Sequence, residues 1–234
     1  ILWTGIHCFI MAKPLEDSDG LIQLKKLIHR KIGKPGGFAM RIIKRLHSVC
    51  RERKAEKMNV ICFGDSNTYG YDPRSYLGGR YDVDSRWVDI LAEETGWTVR
   101  NLGENGREIP TSAPDFPADT DFLIVMLGTN DLLQGRSPEQ AAARLERFLS
   151  GIPLDRSKIL VIAPPPVKRG AWVPGQQLID DSHTFAQLCQ TLAAQMGIRF
   201  ADAGRWDVPL AYDGVHFTEQ GHRTFAAGLL EKLR

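Results

Sequence analysis

From about residue 58 onward the hydrophobic positions of the chain switch between two periods. Asn59–Phe63 is a short apolar run of strand length, and Thr98–Leu102 reads as a second strand. Phe122–Leu127 is apolar at every position, as expected of a central strand buried on both faces. Lys158–Ala163 makes a fourth strand, stopped by Pro164-Pro165-Pro166, and Ile198–Ala201 a short fifth. Helical patterns fall between them. Trp87–Thr95 reads as one helix, Gln176–Met196 as a long one, and Thr218–Leu230 as the last, with Thr218 suited to its N-cap. Ser137-Pro138-Glu139 starts another that runs to about Leu149, with proline at the first helical position, where its missing N–H is not needed. Strands alternating with helices predict an α/β domain built on a parallel sheet covered on both faces. Functional loops of such sheets collect at the carboxyl ends of the strands.

The pattern changes before Met58. Two basic, helix-prone stretches, Leu21–Ile32 and Phe38–Lys57, flank the breaker Gly33-Lys34-Pro35-Gly36-Gly37. Residues 1–57 hold 13 Lys and Arg against 5 Asp and Glu, and residues 58–234 hold 17 against 23. The formal charge of +2 therefore averages a basic leader and an acidic domain, and the acidic domain argues against nucleic acid as a partner. The basic stretch reads as an upstream extension or cloning remnant, because Met58 directly precedes a strand and residue 1 is not Met. A membrane-surface or partner-binding basic helix is the other reading. The expected division is thus an extension over 1–57 and a catalytic domain over 58–234.

No apolar run reaches the ~18–20 residues that span a bilayer. Four cysteines lie far apart without a CxxC pair, and Cys62 and Cys189 fall inside a strand and a helix. Buried free thiols and a reducing, cytoplasmic setting follow.

Four segments carry residues suited to chemistry. The first strand runs into Gly64-Asp65-Ser66-Asn67-Thr68-Tyr69-Gly70, where a tight strand-to-helix turn would present the Ser66 hydroxyl. That hydroxyl becomes a nucleophile only when a neighbouring base takes its proton, and otherwise Ser66 is a helix cap. After the second strand come Gly103 and Gly106, either turn glycines or, at Gly106, a main-chain N–H open to a ligand. The third strand ends in Gly128-Thr129-Asn130-Asp131, where the Asn130 amide is an uncharged donor suited to an oxyanion, or else a turn residue. Near the end, Asp213-Gly214-Val215-His216 sets a carboxylate three residues from an imidazole that it can orient. His222 and His183 read as surface or packing histidines.

Together and in this order, Gly64-Asp65-Ser66, Gly106, Gly-x-Asn-Asp at 128–131 and Asp213-x-x-His216 resemble the GDSL/SGNH hydrolase family. The resemblance covers about 58–234 and implies a flavodoxin-like three-layer sandwich with about five parallel strands between helices. It implies a serine esterase in which Ser66 attacks the acyl carbonyl, His216 acts as base and then acid, and Asp213 orients it. The oxyanion would be held by the N–H groups of Ser66 and Gly106 and by the Asn130 amide. The wider wording, with Met-Leu-Gly-Thr-Asn-Asp and Asp-Gly-Val-His-Phe, looks like the arylesterase and acyltransferase branch. There the aromatic matching Tyr69 walls a small acyl pocket, and Trp172, in the loop after the fourth strand, would border the entrance, with Asn67 as a further substrate contact. Both aromatics could instead be packing residues. The expected preference is for acetyl to butyryl esters. The stretch between Gly106 and Phe122 is short, whereas the oligomeric acyltransferases of that branch carry a longer insertion. Hydrolysis is therefore expected over acyl transfer, with a homo-oligomer left open. The expected partner is a small-molecule ester, with no cofactor and no metal. A second class of function is a carbohydrate- or phosphate-binding module with Gly64–Gly70 around an anion, although neither GxxxxGK[ST] nor GxGxxG occurs. A metal hydrolase ranks third, since the histidines form no helical His-x-x-x-His pair.

Overall fold

The computed structural model describes residues 57–75, 77 and 79–234. The basic stretches before Lys57 lie outside the described residues. Five strands, β1 (Asn59–Gly64), β2 (Thr98–Gly103), β3 (Phe122–Met126), β4 (Ile159–Ala163) and β5 (Arg199–Asp202), form one sheet in the order β2-β1-β3-β4-β5. Every pairing is parallel. The order reverses between β1 and β3, and a crevice opens beyond the carboxyl ends of strands at such a switch point. The register makes the site compact: Gly64 is level with Gly103 on one side and Met126 on the other. Loops leaving these three strands therefore start side by side.

Among the described residues six α-helices accompany the strands: α1 (Ser66–Tyr69), α2 (Trp87–Thr95), α3 (Thr129–Leu133), α4 (Pro138–Ser150), α5 (Gln176–Met196) and, after the last strand, α6 (Glu219–Leu233). Alternate strand side chains point to opposite faces, so two cores form. Ile61, Phe63, Leu123, Val125 and Val161 pack with Leu145, Phe148, Phe185 and Leu192 of α4 and α5. Val60, Cys62, Ile124, Met126 and Ile162 pack with Trp87, Leu91, Phe225 and Leu229 of α2 and α6. A buried aromatic such as Phe148 or Phe225 typically stabilises by about 1.5–3 kcal/mol. This is the predicted three-layer α/β sandwich, with helices on both faces of a five-stranded parallel sheet.

Local chemistry sets the helix ends. Ser137 and Gln140 make a reciprocal capping box across Pro138, and the Thr218 hydroxyl accepts from the Gly221 N–H. The closing helix runs to Leu233, three residues beyond the expected end. Two short helices, α1 and α3, had no counterpart in the apolar pattern. No helix among the described residues is long and apolar enough to cross a membrane.

Candidate active site

The chain leaves β1 at Gly64, and the Asp65 carboxylate caps α1 by accepting the Asn67 N–H at 2.9 Å. Ser66 is therefore the first residue of a four-residue helix, pinned directly above the strand end. The loop after the fifth strand returns to the same place. Asp213 Oδ1 accepts the main-chain N–H groups of Val215 and His216, each at 2.9 Å, which folds a turn around the carboxylate. Gly214 closes that turn at φ 81°, where a Cβ would lie 2.0 Å from the Lys168 carbonyl oxygen. The turn brings three side chains into line. His216 Nε2 lies 3.0 Å from Ser66 Oγ, and His216 Nδ1 lies 2.7 Å from Asp213 Oδ2. All three residues are buried. An imidazole so placed can take a hydroxyl proton on one nitrogen while a carboxylate steadies the other.

The surroundings tune the charges. Burial alone would raise the Asp213 carboxyl, but the His216 ring, the His216 and Val215 N–H groups and the imidazole charge outweigh it and hold it below the usual carboxylate range. Asp65 responds in the opposite sense. Burial pushes its carboxyl up to about 6, against the pull of the Asn67 N–H and of His216 and Arg107. Two aromatic rings flank His216: Tyr71 at 4.6 Å between centroids and Trp172, edge-on, at 5.0 Å. Trp172 is 51% exposed, so its indole reaches from the imidazole to solvent.

Loops from the neighbouring strands close around α1. Gly103, at the end of β2, abuts the Thr68–Tyr69 backbone, and the Glu104 N–H donates to the Gly64 carbonyl at 3.2 Å. The Arg107 guanidinium donates to the Gly64 and Leu102 carbonyls. The Arg107 carbonyl accepts the Asn130 side-chain N–H at 3.0 Å. The chain segments bearing Ser66, Gly106 and Asn130 are thus joined by hydrogen bonds. Gly106 has φ 74°, and its N–H has no acceptor among the described residues. Asp131 faces the other way: Oδ2 accepts the Ile109 N–H at 2.8 Å and Oδ1 pairs with Arg144 at 3.0 Å. It ties the loop that follows Gly106 to α4. Among the described residues no group of three or more His, Cys, Asp or Glu is placed to hold a metal ion.

The model of the GDSL-like lipase/acylhydrolase family matches residues 62–224, and that span takes in every segment just described. The chain belongs to this family. As a member of the GDSL-like lipase/acylhydrolase family it is a carboxylic ester hydrolase. No curated protein sequence matches it. Among solved structures, the aryl esterase of M. smegmatis is 28% identical with a TM-score of 0.63, over 76% of this chain and 98% of that one. A protein of Agrobacterium tumefaciens str. C58 described as a candidate arylesterase is 30% identical, with a TM-score of 0.65 and the same coverage. Est24, a carbohydrate acetylesterase from Sinorhizobium meliloti, is 25% identical with a TM-score of 0.61, over 76% of this chain and 98% of that one.

Within the GDSL-like domain the structure brings Ser66, Asp213 and His216 together, and it links Asn130 to the Gly106 loop. Trp172 stands against His216. Tyr69 lies under Arg80, whose guanidinium carbon is 4.4 Å from the ring centroid. Asn67 was expected to meet substrate, yet its side chain is buried and both ends of its amide engage the His216 loop. Tyr71 was not singled out by the sequence. Its signal was the Gly70 left-handed turn at φ 90°, which sends the chain back over the serine. Of the two histidines set aside as surface or packing residues, His183 is exposed and His222 is buried among aromatic rings.

Proposed function

We propose that the chain is a serine esterase that hydrolyses short-chain acyl esters, acetyl to butyryl, through an acyl-enzyme on Ser66. The observation that carries this reading is the unbroken line from Ser66 Oγ through His216 to Asp213, at 3.0 and 2.7 Å. In the first step His216 Nε2 takes the Ser66 proton as Oγ bonds to the acyl carbon. The oxyanion is received by the N–H groups of Ser66 and Gly106 and by the Asn130 amide. His216 then protonates the departing alcohol. In the second step His216 deprotonates a water that attacks the acyl-enzyme, and Ser66 is released with its proton restored.

Asp213 suits the task of steadying the imidazolium, because its carboxyl is held in the charged form. Preference for small acyl groups is supported by Trp172, whose ring stands against His216 at 5.0 Å between centroids. The solved neighbour described as a carbohydrate acetylesterase is the comparison that favours a small acyl group. The buried free thiols of Cys62 and Cys189 favour a reducing, cytoplasmic setting.

The test combines a fluorophosphonate probe with a panel of p-nitrophenyl esters of graded acyl length. The probe should label the wild-type chain and leave Ser66→Ala unlabelled. Ser66→Ala should retain only the residual catalysis of binding and oxyanion donors. Wild-type rates in Ser66→Ala would refute the nucleophile, and a maximum at long acyl chains would refute the size preference.

A further inference from the structure

Asn67 follows the serine directly, and its side chain points away from solvent into the fold. Its Nδ2 donates to the Val215 carbonyl at 3.2 Å, and its Oδ1 accepts the Phe217 N–H at 2.8 Å. These two groups flank His216 on either side, 148 and 150 residues along the chain. The Asn67 carbonyl in turn accepts the Trp87 indole N–H at 2.9 Å, and Trp87 is itself buried at the start of α2. Asn67 is only 4% exposed, so these bonds are shielded from competing water.

From this we infer that Asn67 is the positioning residue that fixes His216 opposite Ser66; the inference rests on the serine–histidine–aspartate reading above. The physical argument is one of rigidity. The His216 loop is held on its far side, where the Gly214 and Asp213 carbonyls accept the Lys168 and Trp172 N–H groups. Against α1, however, the Ser66–His216 bond by itself would fix one distance and no orientation. The Asn67 amide adds a donor and an acceptor to the backbone on both sides of the histidine, from the residue adjoining the nucleophile. Three bonds between two short segments fix distance and orientation together. A displacement of about 1 Å at a reacting pair can cost about 10²-fold in rate. The Asp213 turn shapes the loop from within, and Asn67 registers that loop against α1. An asparagine is required because one planar group must donate to a carbonyl and accept from an N–H at the same time.

The test uses Asn67→Ala and Asn67→Asp, with Ser66→Ala beside them. Asn67→Asp keeps the shape and the acceptor for Phe217 while losing the donor to Val215, so it serves where the alanine variant fails to fold. In folded variants kcat on p-nitrophenyl acetate should fall by about 10- to 10²-fold, with KM changed by less than about threefold. The far-downfield proton resonance of the His216 Nδ1–H facing Asp213 should broaden, although the variants still melt cooperatively. A merely structural residue would lower the melting temperature and leave both readouts in place. A folded Asn67→Asp with wild-type kcat and an unchanged resonance overturns the positioning role. If Ser66→Ala is inactive in the same assays, only the Asn67 inference has failed. If Ser66→Ala is fully active, the reading beneath it has failed.

Discussion

Asn130 and Asp131 adjoin each other and face opposite tasks. The Asn130 amide carries two N–H bonds, and the Arg107 carbonyl takes one of them. The second is the one that the proposed oxyanion role would use. Asn130→Ala is expected to lower kcat on p-nitrophenyl acetate by about 10²–10³-fold, as loss of one oxyanion donor typically does. A drop confined to KM would mean that the amide binds substrate without favouring the transition state. Asp131 instead anchors the Ile109 N–H and Arg144, and burial pushes its carboxyl up despite both partners. The sequence was informative here where chemistry depends on residue type: a serine, an imidazole and a carboxylate stand out in one dimension. It was uninformative about Asn67 and Tyr71, whose partners are a distant backbone and the face of a ring. Nothing in a linear pattern says which carbonyl, 148 residues away, an amide will meet.

At the scale of elements, the contact that matters most to the serine is that between β2 and α1. A Cβ on Gly103 would stand 2.1 Å from the Tyr69 nitrogen and 2.5 Å from the Thr68 carbonyl carbon. Both are backbone atoms of a short helix and neither can rotate away. Gly103→Ala should therefore destabilise by about 1–3 kcal/mol and displace the helix that carries Ser66. Urea unfolding checks the first effect as a lower midpoint with an unchanged slope, and the rate of fluorophosphonate labelling checks the second. The long elements were legible because their burial imposes a period. Trp87–Thr95 and Gln176–Met196 were read with the bounds the structure gives, and the strands differ by a residue at their ends. The helices α1 and α3, of four and five residues, complete little more than one turn and leave no period to detect. The first forms under the Asp65 cap, whereas the second has no side-chain cap at its N-terminus and depends on its neighbours, which composition does not display.

For the whole molecule, two buried groups outside the proton path oppose each other in acid. His222 is packed between Tyr81 and Phe217, and neither ring nitrogen has a hydrogen-bond partner among the described residues. Burial, followed by the Arg86 and His216 charges, lowers it from 6.5 to about 3. Between those values the unfolded chain binds a proton that the folded chain refuses, so stability falls as pH drops from about 6.5 to about 3. Asp65 has the reverse sign. Its folded value of about 6 lies above its ordinary 3.8, so stability is lost as pH rises between them. His222→Leu should move acid unfolding to lower pH and, by removing unpaired buried nitrogens, stabilise at neutral pH by about 1–3 kcal/mol. Asp65→Asn keeps an acceptor for the Asn67 N–H and should melt higher at pH 7, with the gain fading below about pH 4. Melting curves across pH separate the two, and an unshifted acid transition in His222→Leu would refute the account of that histidine.

The 150-residue interval between Ser66 and His216 has a consequence for biosynthesis. A growing polypeptide would expose its serine to the cell long before its base had been translated. Esterase turnover on the proposed chemistry would begin only when the final loop docks onto the first turn. Release of a chromogenic alcohol during translation would then time the completion of folding, with no label added to the chain.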